Sequence, residues 1–341
     1  MFNVYRNPLP SPPTRPRMAA TLQQIRQPVA EELEQFERYF KQALKSRVML
    51  LDRVMQYIVK RKGKQMRPLF VLLSAELCGG VTPATYRGAA LVELLHTATL
   101  VHDDVVDDSD KRRGFFSINA LWKNKLAVLV GDYLLSRGLL MSLEYDDFQL
   151  LKIVSNAVKL MSEGELLQME KARALNVDEP VYYDIIRQKT ASLIASCTEV
   201  GASSAGADAD TQERMRQFGE AVGMAFQIKD DLLDYGGAQS GKPTGIDLKE
   251  RKMTLPLIYT LNRCSWAERR RLIYVVRNQS ERPEKAAWVM HVVRERGGLS
   301  YSQQKMAEYV AQARTLLHQF PETPARQALD DLVTFTIERE V

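Results

Sequence analysis

Apolar residues recur at steps of three and four along almost the whole chain from residue 29 onward. Leu33, Phe36, Phe40 and Leu44 show this spacing, which places them on one face of an amphipathic helix. The sequence lacks the alternating apolar and polar runs, bounded by hairpin turns, that are typical of β-strands. The pattern therefore predicts an all-α fold of about a dozen helices.

Capping residues, proline and glycine mark the predicted helix ends. Thr82-Pro83 places an N-cap before a proline that fits the first helical turn. Ser265 with Glu268 fits a capping box. The glycine pair at 297–298 stands where a helix is expected to end.

The first 17 residues hold five prolines and three arginines, and no acidic residue precedes Glu31. This composition favours a disordered tail over residues 1–28 rather than a Ser-rich, amphipathic transit peptide. Residues 29–341 contain no linker and are predicted to form one domain. Within them, residues 236–245 (GGAQSGKPTG) have four glycines and a proline, which predicts a loop. It is either a surface connection or, because it follows an acidic run, a lid.

Composition narrows the partners and the compartment. The net charge is +5, from 47 basic and 42 acidic residues, which indicates ordinary solubility or a weak attraction to anionic ligands and membrane surfaces, not to nucleic acid. Three scattered cysteines favour a reducing, cytoplasmic compartment. No apolar run reaches transmembrane length, so we expect at most transient membrane contact.

Two aspartate runs are the strongest chemical signal. Residues 103–107 (DDVVD) and 230–234 (DDLLD) each lie within an apolar stretch. Carboxylates at positions i and i+4 share one helix face, and Mg²⁺ prefers oxygen ligands of this kind. A single run would fit a solvated acidic patch equally well, but two runs in apolar surroundings favour a cation site.

Basic residues are distributed in order around these runs. Each alone is typical of a protein surface, but with the carboxylates they suit a diphosphate, which cations and arginine bind together. His96 precedes Asp103 by seven residues and therefore lies on about the same helix face. The bases are Lys64, Arg67, Arg112, Arg113, Lys189, Lys242 and Lys252.

This order of residues resembles the trans-isoprenyl diphosphate synthase (polyprenyl synthetase) family over roughly residues 29–340. The matching blocks are residues 63–68 (GKQMRP), 93–96, 103–107, 112–114, 189–190, 226–227 with 230–234, and 241–252. One departure is Phe116, where the family usually has proline. The resemblance implies a single-domain isoprenoid-synthase helical bundle around a deep central cavity, usually a homodimer.

The resemblance also implies a role for each matching residue. The contacts to isopentenyl diphosphate would be Lys64, Arg67, His96 and Arg113. The contacts to the allylic diphosphate would be Arg112, Lys189, Lys242 and Lys252, with Thr190 and Gln227 lining the reaction centre. The implied cofactor is Mg²⁺, about three ions, and its ligands would be Asp103, Asp107 and Asp230, with Asp104, Asp231 and Asp234 completing the set. The residues expected to act most directly in catalysis are Asp103, Asp104, Asp107, Arg112, Lys189, Gln227, Asp230, Asp231 and Lys252.

The implied reaction condenses isopentenyl diphosphate with an allylic diphosphate, farnesyl or geranylgeranyl. One helical turn rises ~5.4 Å, close to the length of one isoprene unit. Ala98 and Thr99, one turn before Asp103, occupy positions where a Phe or Tyr blocks the growing chain in this family. Their small side chains predict a long all-trans product of about six isoprene units or more, most often a quinone side chain.

Other features leave alternatives open. Leu95, one turn deeper, is only moderately bulky, and another helix could supply the floor through Val130, Leu134 or Met161. A short-chain farnesyl or geranylgeranyl diphosphate synthase therefore remains an alternative. So does a non-catalytic subunit of a heteromeric synthase, although such subunits lose motif aspartates and all six are present here. The GKQMRP block argues against a terpene cyclase.

Overall fold

The structure is a computed structural model that describes residues 20–60, 63–106, 111–112, 115–174, 178–236 and 245–338. These residues form sixteen α-helices and one two-stranded ladder, which confirms the all-α prediction. The first half contains α1 (Leu22–Arg26), a 3₁₀ turn (Gln27–Val29), α2 (Ala30–Ala43), α3 (Met49–Lys60), α4 (Met66–Cys78), α5 (Pro83–Val106), β1 (Lys111–Arg112), β2 (Phe115–Phe116) and α6 (Ile118–Glu144).

The second half begins with a long helix that packs against α5 and α6 and continues through shorter helices around α10. Its elements are α7 (Phe148–Ala174), α8 (Glu179–Ile186), a π-helical turn (Arg187–Ala191), α9 (Ser192–Ser204), α10 (Ala209–Leu233), α11 (Ile246–Lys249), α12 (Leu255–Arg263), α13 (Trp266–Asn278), α14 (Pro283–Glu295), α15 (Gly298–Leu317) and α16 (Pro324–Glu338).

Most of the predicted helix boundaries are confirmed. Helix α5 begins at Pro83, and the Ser265 hydroxyl caps α13 by accepting the Glu268 amide. Gly297 adopts a left-handed conformation between α14 and α15, as a helix end requires. The prediction was wrong for Gly298, which is the first residue of α15 and packs tightly on the Pro256 carbonyl.

The predicted disordered tail was wrong for residues 20–28. Thr21 and Gln24 form a capping box that starts α1, and Ile25 is buried against the core. Proline composition hid this short helix, whose packing against α16 stabilises it. Residues 1–19 and most of the predicted lid, residues 237–244, lie outside the described residues.

Two clusters of buried apolar side chains form the interior, and α10 joins them. Phe218 belongs to the larger cluster, which includes α2, α4–α7, α9 and α16. Ile228, further along α10, belongs to the smaller cluster, which includes α8 and α12–α14. Helix α10 lies close to α9 because Gly219 has no side chain: a Cβ there would lie 2.2 Å from Thr198 Oγ1. Gly223 allows the same approach to the π-helical turn, since a Cβ there would lie 2.5 Å from Ala191 Cα.

One helix in the described ranges, Ala120–Glu144, is long and apolar enough to cross a membrane by length and composition alone. Only 39% of its most apolar window is buried. Two charged residues, Asp132 and Arg137, lie within this helix. A core helix in a bundle passes the same test, so this finding alone does not identify a membrane span.

Candidate active site

The first aspartate run begins on the last turn of α5. Asp103 is exposed, whereas Asp104 is buried with 5% of its surface accessible. His96 lies on the same helix, as predicted. One of the two valines between the aspartates, Val106, is exposed because α5 ends there. Asp107 lies outside the described residues.

The second run ends α10 and has the same alternation. Asp230 is exposed, and Asp231 is buried with 5% of its surface accessible. Asp234 follows the helix, and its two carboxylate oxygens accept the backbone amides of Ile246 (2.9 Å) and Asp247 (3.3 Å). Asp234 therefore attaches the beginning of α11 to the end of α10.

A chain of hydrogen bonds runs through the buried Asp231 carboxylate. Its Oδ2 accepts the Tyr182 hydroxyl at 2.7 Å, and its Oδ1 accepts Nε2 of Gln227 at 2.9 Å. The Thr190 hydroxyl donates to Oε1 of Gln227 at 2.7 Å. Each group thus fixes the orientation of the next, so that Gln227 and Thr190 are held in one arrangement.

Burial raises the pKa of the Asp231 carboxyl to about 7, while the hydrogen bonds from Gln227 and Tyr182 act in the opposite direction. Removal from water disfavours the charged form of a carboxyl group more than two donors can offset here. A buried carboxyl with a raised pKa beside a cleft is a common feature of functional sites.

Lys189 and Thr190 lie on the π-helical turn between α8 and α9. Such turns insert an extra residue into a helix and often occur at functional sites. Gly164 lets α7 lie close to this turn, because a Cβ at Gly164 would lie 2.9 Å from the backbone nitrogen of Lys189. The Lys189 ammonium pairs with Glu165 and lies 3.4 Å from Oε1 of Gln168.

Lys252 and Asp247, on the segment from α11 to α12, form a second group of charged side chains. The Lys252 ammonium lies 3.5 Å from Asp247 Oδ1 and 2.6 Å from Glu250 Oε2. Burial raises the pKa of the Asp247 carboxyl to about 6; Lys252 lowers this pKa, and nearby Asp234 raises it. This second group therefore combines a partly buried cation with a carboxyl group that is easily protonated.

These groups surround one polar cavity of about 100 Å³. It opens beside the C-terminal end of α10, where the π-helical turn, α7 and the α11–α12 segment meet. The polar residues that line it are Gln168, Tyr182, Lys189, Thr190, Gln227, Asp230, Asp231, Asp247, Lys252 and Thr254. Six of these residues were predicted from the sequence and are thus brought together in space: Lys189, Thr190, Gln227, Asp230, Asp231 and Lys252.

A second group of predicted residues lies on α4 and α5. The Arg67 guanidinium binds the Glu93 carboxylate through bonds of 2.7 and 3.3 Å. Burial lowers the pKa of Arg67, but the charge of Glu93 and its hydrogen bond together outweigh burial, and the net change in pKa is upward. Lys64 lies two residues before α4, and its ammonium lies 5.3 Å from the centre of the Phe335 ring.

Some predicted residues cannot be placed. Arg112 lies in β1, where its backbone pairs with Phe115. Arg113 and Lys242 lie outside the described residues. Their predicted contacts with the diphosphates stay predictions.

The residues proposed to set product length lie on the buried side of α5. Ala98 and Leu95 are buried in the core cluster that also contains Val130 and Leu134 of α6. Gly138 of α6 approaches this wall so closely that a Cβ there would lie 2.6 Å from Leu95 Cδ1. The Thr99 hydroxyl donates to the His96 carbonyl, and Met161 packs at the edge of the cluster.

Sequence reasoning missed Tyr182, Asp247 and Glu165. Tyr182 resembles an ordinary core aromatic in the sequence, and only its bond to Asp231 identifies it. Asp247 could have been found as the acid that follows the glycine-rich segment, five residues before Lys252. Glu165 offers no signal, because it meets Lys189 only through the packing of α7 on the π-helical turn.

The side chains fit Mg²⁺ by the chemistry of their donors. The candidates are carboxylates, and this ion usually takes one or two of them and completes its shell with waters and substrate phosphates. Among the described residues, no three acidic, histidine or cysteine side chains gather closely enough to hold a metal alone. This arrangement suits a cation that binds together with a diphosphate.

Comparison with known proteins identifies the family. Residues 48–293 match the family model described as polyprenyl synthetase. An all-trans-nonaprenyl-diphosphate synthase (geranyl-diphosphate specific) from Rhodobacter capsulatus is 37% identical over 322 residues, which are 93% of this chain and 98% of that protein. An octaprenyl diphosphate synthase from Escherichia coli K12 is 34% identical and covers 94% of this chain and 99% of its own length.

Solved structures have the same fold. A decaprenyl diphosphate synthase from Rhodobacter capsulatus superposes with a TM-score of 0.88 at 36% identity, covering 94% of this chain and 100% of that one. A polyprenyl synthase from Caulobacter crescentus CB15, complexed with calcium and isoprenyl diphosphate, has a TM-score of 0.86 at 33% identity, covering 96% and 100%. The chain therefore belongs to the polyprenyl synthetase family.

Proposed function

We propose that the chain condenses isopentenyl diphosphate with farnesyl or geranylgeranyl diphosphate and repeats the step to make a long all-trans polyprenyl diphosphate. The observation that carries this proposal is the polar cavity at the end of α10. It places Lys189, Lys252 and Asp230 around the Thr190–Gln227 pair. Two cations and a carboxylate beside an ordered polar pair suit a bound diphosphate.

The allylic diphosphate occupies this cavity. Lys189 and Lys252 bind its oxygens, and Arg112 and Lys242 add further contacts. Both described lysines have carboxylate partners that substrate oxygens must replace: Glu165 for Lys189, and Glu250 with Asp247 for Lys252. Asp103, Asp107 and Asp230 would hold Mg²⁺, assisted by Asp104, Asp231 and Asp234. Bound Mg²⁺ would supply positive charge that stabilises the departing diphosphate.

Isopentenyl diphosphate binds to Lys64, Arg67, His96 and Arg113. The Glu93 carboxylate fixes the Arg67 guanidinium, so this contact is ordered before substrate arrives. Holding the two substrates at reacting distance turns a bimolecular step into an intramolecular one. The double bond of isopentenyl diphosphate attacks the allylic carbon, whose bond to its diphosphate breaks. The released diphosphate then takes a proton, which leaves a longer allylic diphosphate.

The Thr190–Gln227 pair faces the carbon that gains positive charge. Because Asp231 and Thr190 both hold the Gln227 amide, its dipole cannot turn away as the charge develops. Water must be excluded from a reactive cation, and closure of residues 236–245 over the cavity would serve that purpose.

Residue size along α5 supports a long product. Ala98 and Thr99 leave the wall below Asp103 without an aromatic block. The relatives described above are named as octaprenyl, nonaprenyl and decaprenyl diphosphate synthases. We propose a cytoplasmic enzyme whose product feeds quinone side chains. The hydrocarbon product then enters the membrane, with which the enzyme makes transient contact.

A homodimer is the proposed assembly. Helices α6 and α7 expose large apolar side chains of the kind that monomeric proteins seldom leave in water. An isologous interface between two copies would bury this face on both. The exposed residues are Leu121, Val128, Leu129, Leu139, Leu140, Leu143, Phe148, Leu166 and Met169.

Incorporation of labelled isopentenyl diphosphate into extractable product tests the proposed activity. With farnesyl diphosphate and Mg²⁺, Lys189→Gln should lower the rate at least about hundredfold, because it removes a charge that stabilises the leaving group. Lys159→Gln, which removes an exposed lysine of α7, is the control and should leave the rate unchanged. Incorporation that is indifferent to Lys189 would contradict the proposal. Activity that appears only with another subunit would favour the heteromeric alternative.

A further inference from the structure

Three consecutive apolar side chains are exposed at the turn that leads from α2 into α3. Val48, Met49 and Leu50 have 60%, 78% and 47% of their surface accessible. Single exposed apolar residues are common, but a run of three breaks the polar pattern expected of a surface. We call residues 45–50, with these three at its apex, the α2–α3 tip.

The fold holds the tip in a defined conformation. Leu44 before it and Val54 and Met55 after it are buried in the core, so both ends are anchored. The Ser46 hydroxyl accepts the Val48 amide at 3.2 Å, and the Val48 carbonyl accepts the Asp52 amide at 2.9 Å. The tip therefore presents its apolar side chains outward from a fixed turn.

Positive charge surrounds these side chains. Lys45, Arg47 and Arg53 are all exposed. In the part of the chain that the structure describes, none of the three forms an ion pair. Apolar side chains ringed by unpaired bases match the interface of an anionic bilayer, where the apolar groups enter and the bases meet lipid phosphates.

The tip also lies toward the end of the molecule that a long product must reach. The Arg137 guanidinium of α6 donates to the Ala43 carbonyl at 3.1 Å, which fixes the end of α2 beside α6. The next residue of α6, Gly138, contacts Leu95 of α5. Leu95 is eight residues before Asp103, or ~12 Å along the helix. A chain of six isoprene units, ~30 Å when extended, would pass this level.

We propose that the α2–α3 tip docks the enzyme on anionic phospholipid bilayers and brings the hydrocarbon end of the product to the membrane. Val48, Met49 and Leu50 insert at the interface, and Lys45, Arg47 and Arg53 bind lipid phosphates. This surface extends the proposed long-chain activity, because a water-insoluble product needs a lipid phase. Docking itself requires no substrate, so it can be tested separately from catalysis.

Sedimentation of the full chain with lipid vesicles tests the tip. The wild-type protein should bind vesicles of phosphatidylcholine with phosphatidylglycerol at least about tenfold more tightly than vesicles of phosphatidylcholine alone. Met49→Glu should weaken binding to the anionic vesicles at least about tenfold. Trp266→Glu is the matched control, since Trp266 is 72% exposed on α13, a helix whose buried residues belong to the smaller cluster; this variant should bind as wild type does.

Two further measurements keep the result unambiguous. Elongation activity in detergent should be the same for Met49→Glu and wild type, which shows that the variant is folded. The double variant Lys45→Glu/Arg47→Glu should lose the preference for anionic vesicles. Equal vesicle binding by Met49→Glu and wild type would overturn the proposal. Conversion of a dimer to monomers by Met49→Glu, seen by light scattering, would also overturn it, because the tip would then be an interface between two copies.

Discussion

The buried Asp231 carboxyl makes the stability of the metal-free protein depend on pH in a predictable direction. Its pKa is about 7 in the folded chain, against 3.8 for an aspartate carboxyl in water. The folded state therefore keeps a proton that the unfolded state loses as pH rises above 4. Stability from this group is present at low pH and is lost as pH rises through the folded pKa.

The pKa difference sets the size of the effect. A change of about three pKa units corresponds to about 4 kcal/mol, as an upper limit for a fully buried group. Asp231→Asn keeps the shape of the protonated carboxyl and cannot ionise. At about pH 4 the variant should match wild type within about 1 kcal/mol, and at about pH 8 it should be more stable by about 2–4 kcal/mol.

Urea unfolding in EDTA, followed by circular dichroism at both pH values, measures this difference. Asp230→Asn, the exposed neighbour, is the control and should follow the wild-type pH dependence. A free-energy difference between Asp231→Asn and wild type that is equal at the two pH values would refute the reasoning. It would mean that the carboxylate is ionised in the folded state at both.

Three more substitutions test separate parts of the structure. Ala98→Phe should shorten the product by several isoprene units, seen by chromatography of the dephosphorylated products; an unchanged length would place the floor on another helix. Gly219→Ala should lower the free energy of unfolding by about 1–3 kcal/mol, because its Cβ would lie 2.2 Å from Thr198 Oγ1; a stabilised variant would show that α9 and α10 can separate. Glu165→Gln should lower the KM for the allylic diphosphate about threefold, since it removes a half-exposed competitor for Lys189; an unchanged KM would show that the ion pair does not compete with substrate.

The sequence predicted the helices well because each has its own local signals. The Thr82-Pro83 start and the Ser265 cap need no tertiary contact to be recognised. Residues 20–28 were missed because the proline-rich segment beside them dominated the composition. The burial of Ile25, which stabilises α1, depends on contacts with a helix about 300 residues later.

The site was predicted to the level of residue identity but not of residue environment. Spacing identified both aspartate runs, yet it treated their members as equivalent. The structure exposes Asp103 and Asp230 and buries Asp104 and Asp231, a difference set by the neighbouring helices. Tyr182, which bonds Asp231 across 49 positions of sequence, could not be found from local pattern. Long-range contacts of this kind decide which aspartate is available to a metal ion.

The length of the product is the most direct test of the account. The purified chain would be incubated with isopentenyl diphosphate, farnesyl diphosphate and Mg²⁺, and the products sized by mass spectrometry. We predict all-trans polyprenyl diphosphates of about six isoprene units or more, because Ala98 and Thr99 leave the wall below Asp103 without an aromatic block. A product that stops at farnesyl or geranylgeranyl length would contradict the long-chain assignment, and no elongation would contradict the proposed activity of the chain alone.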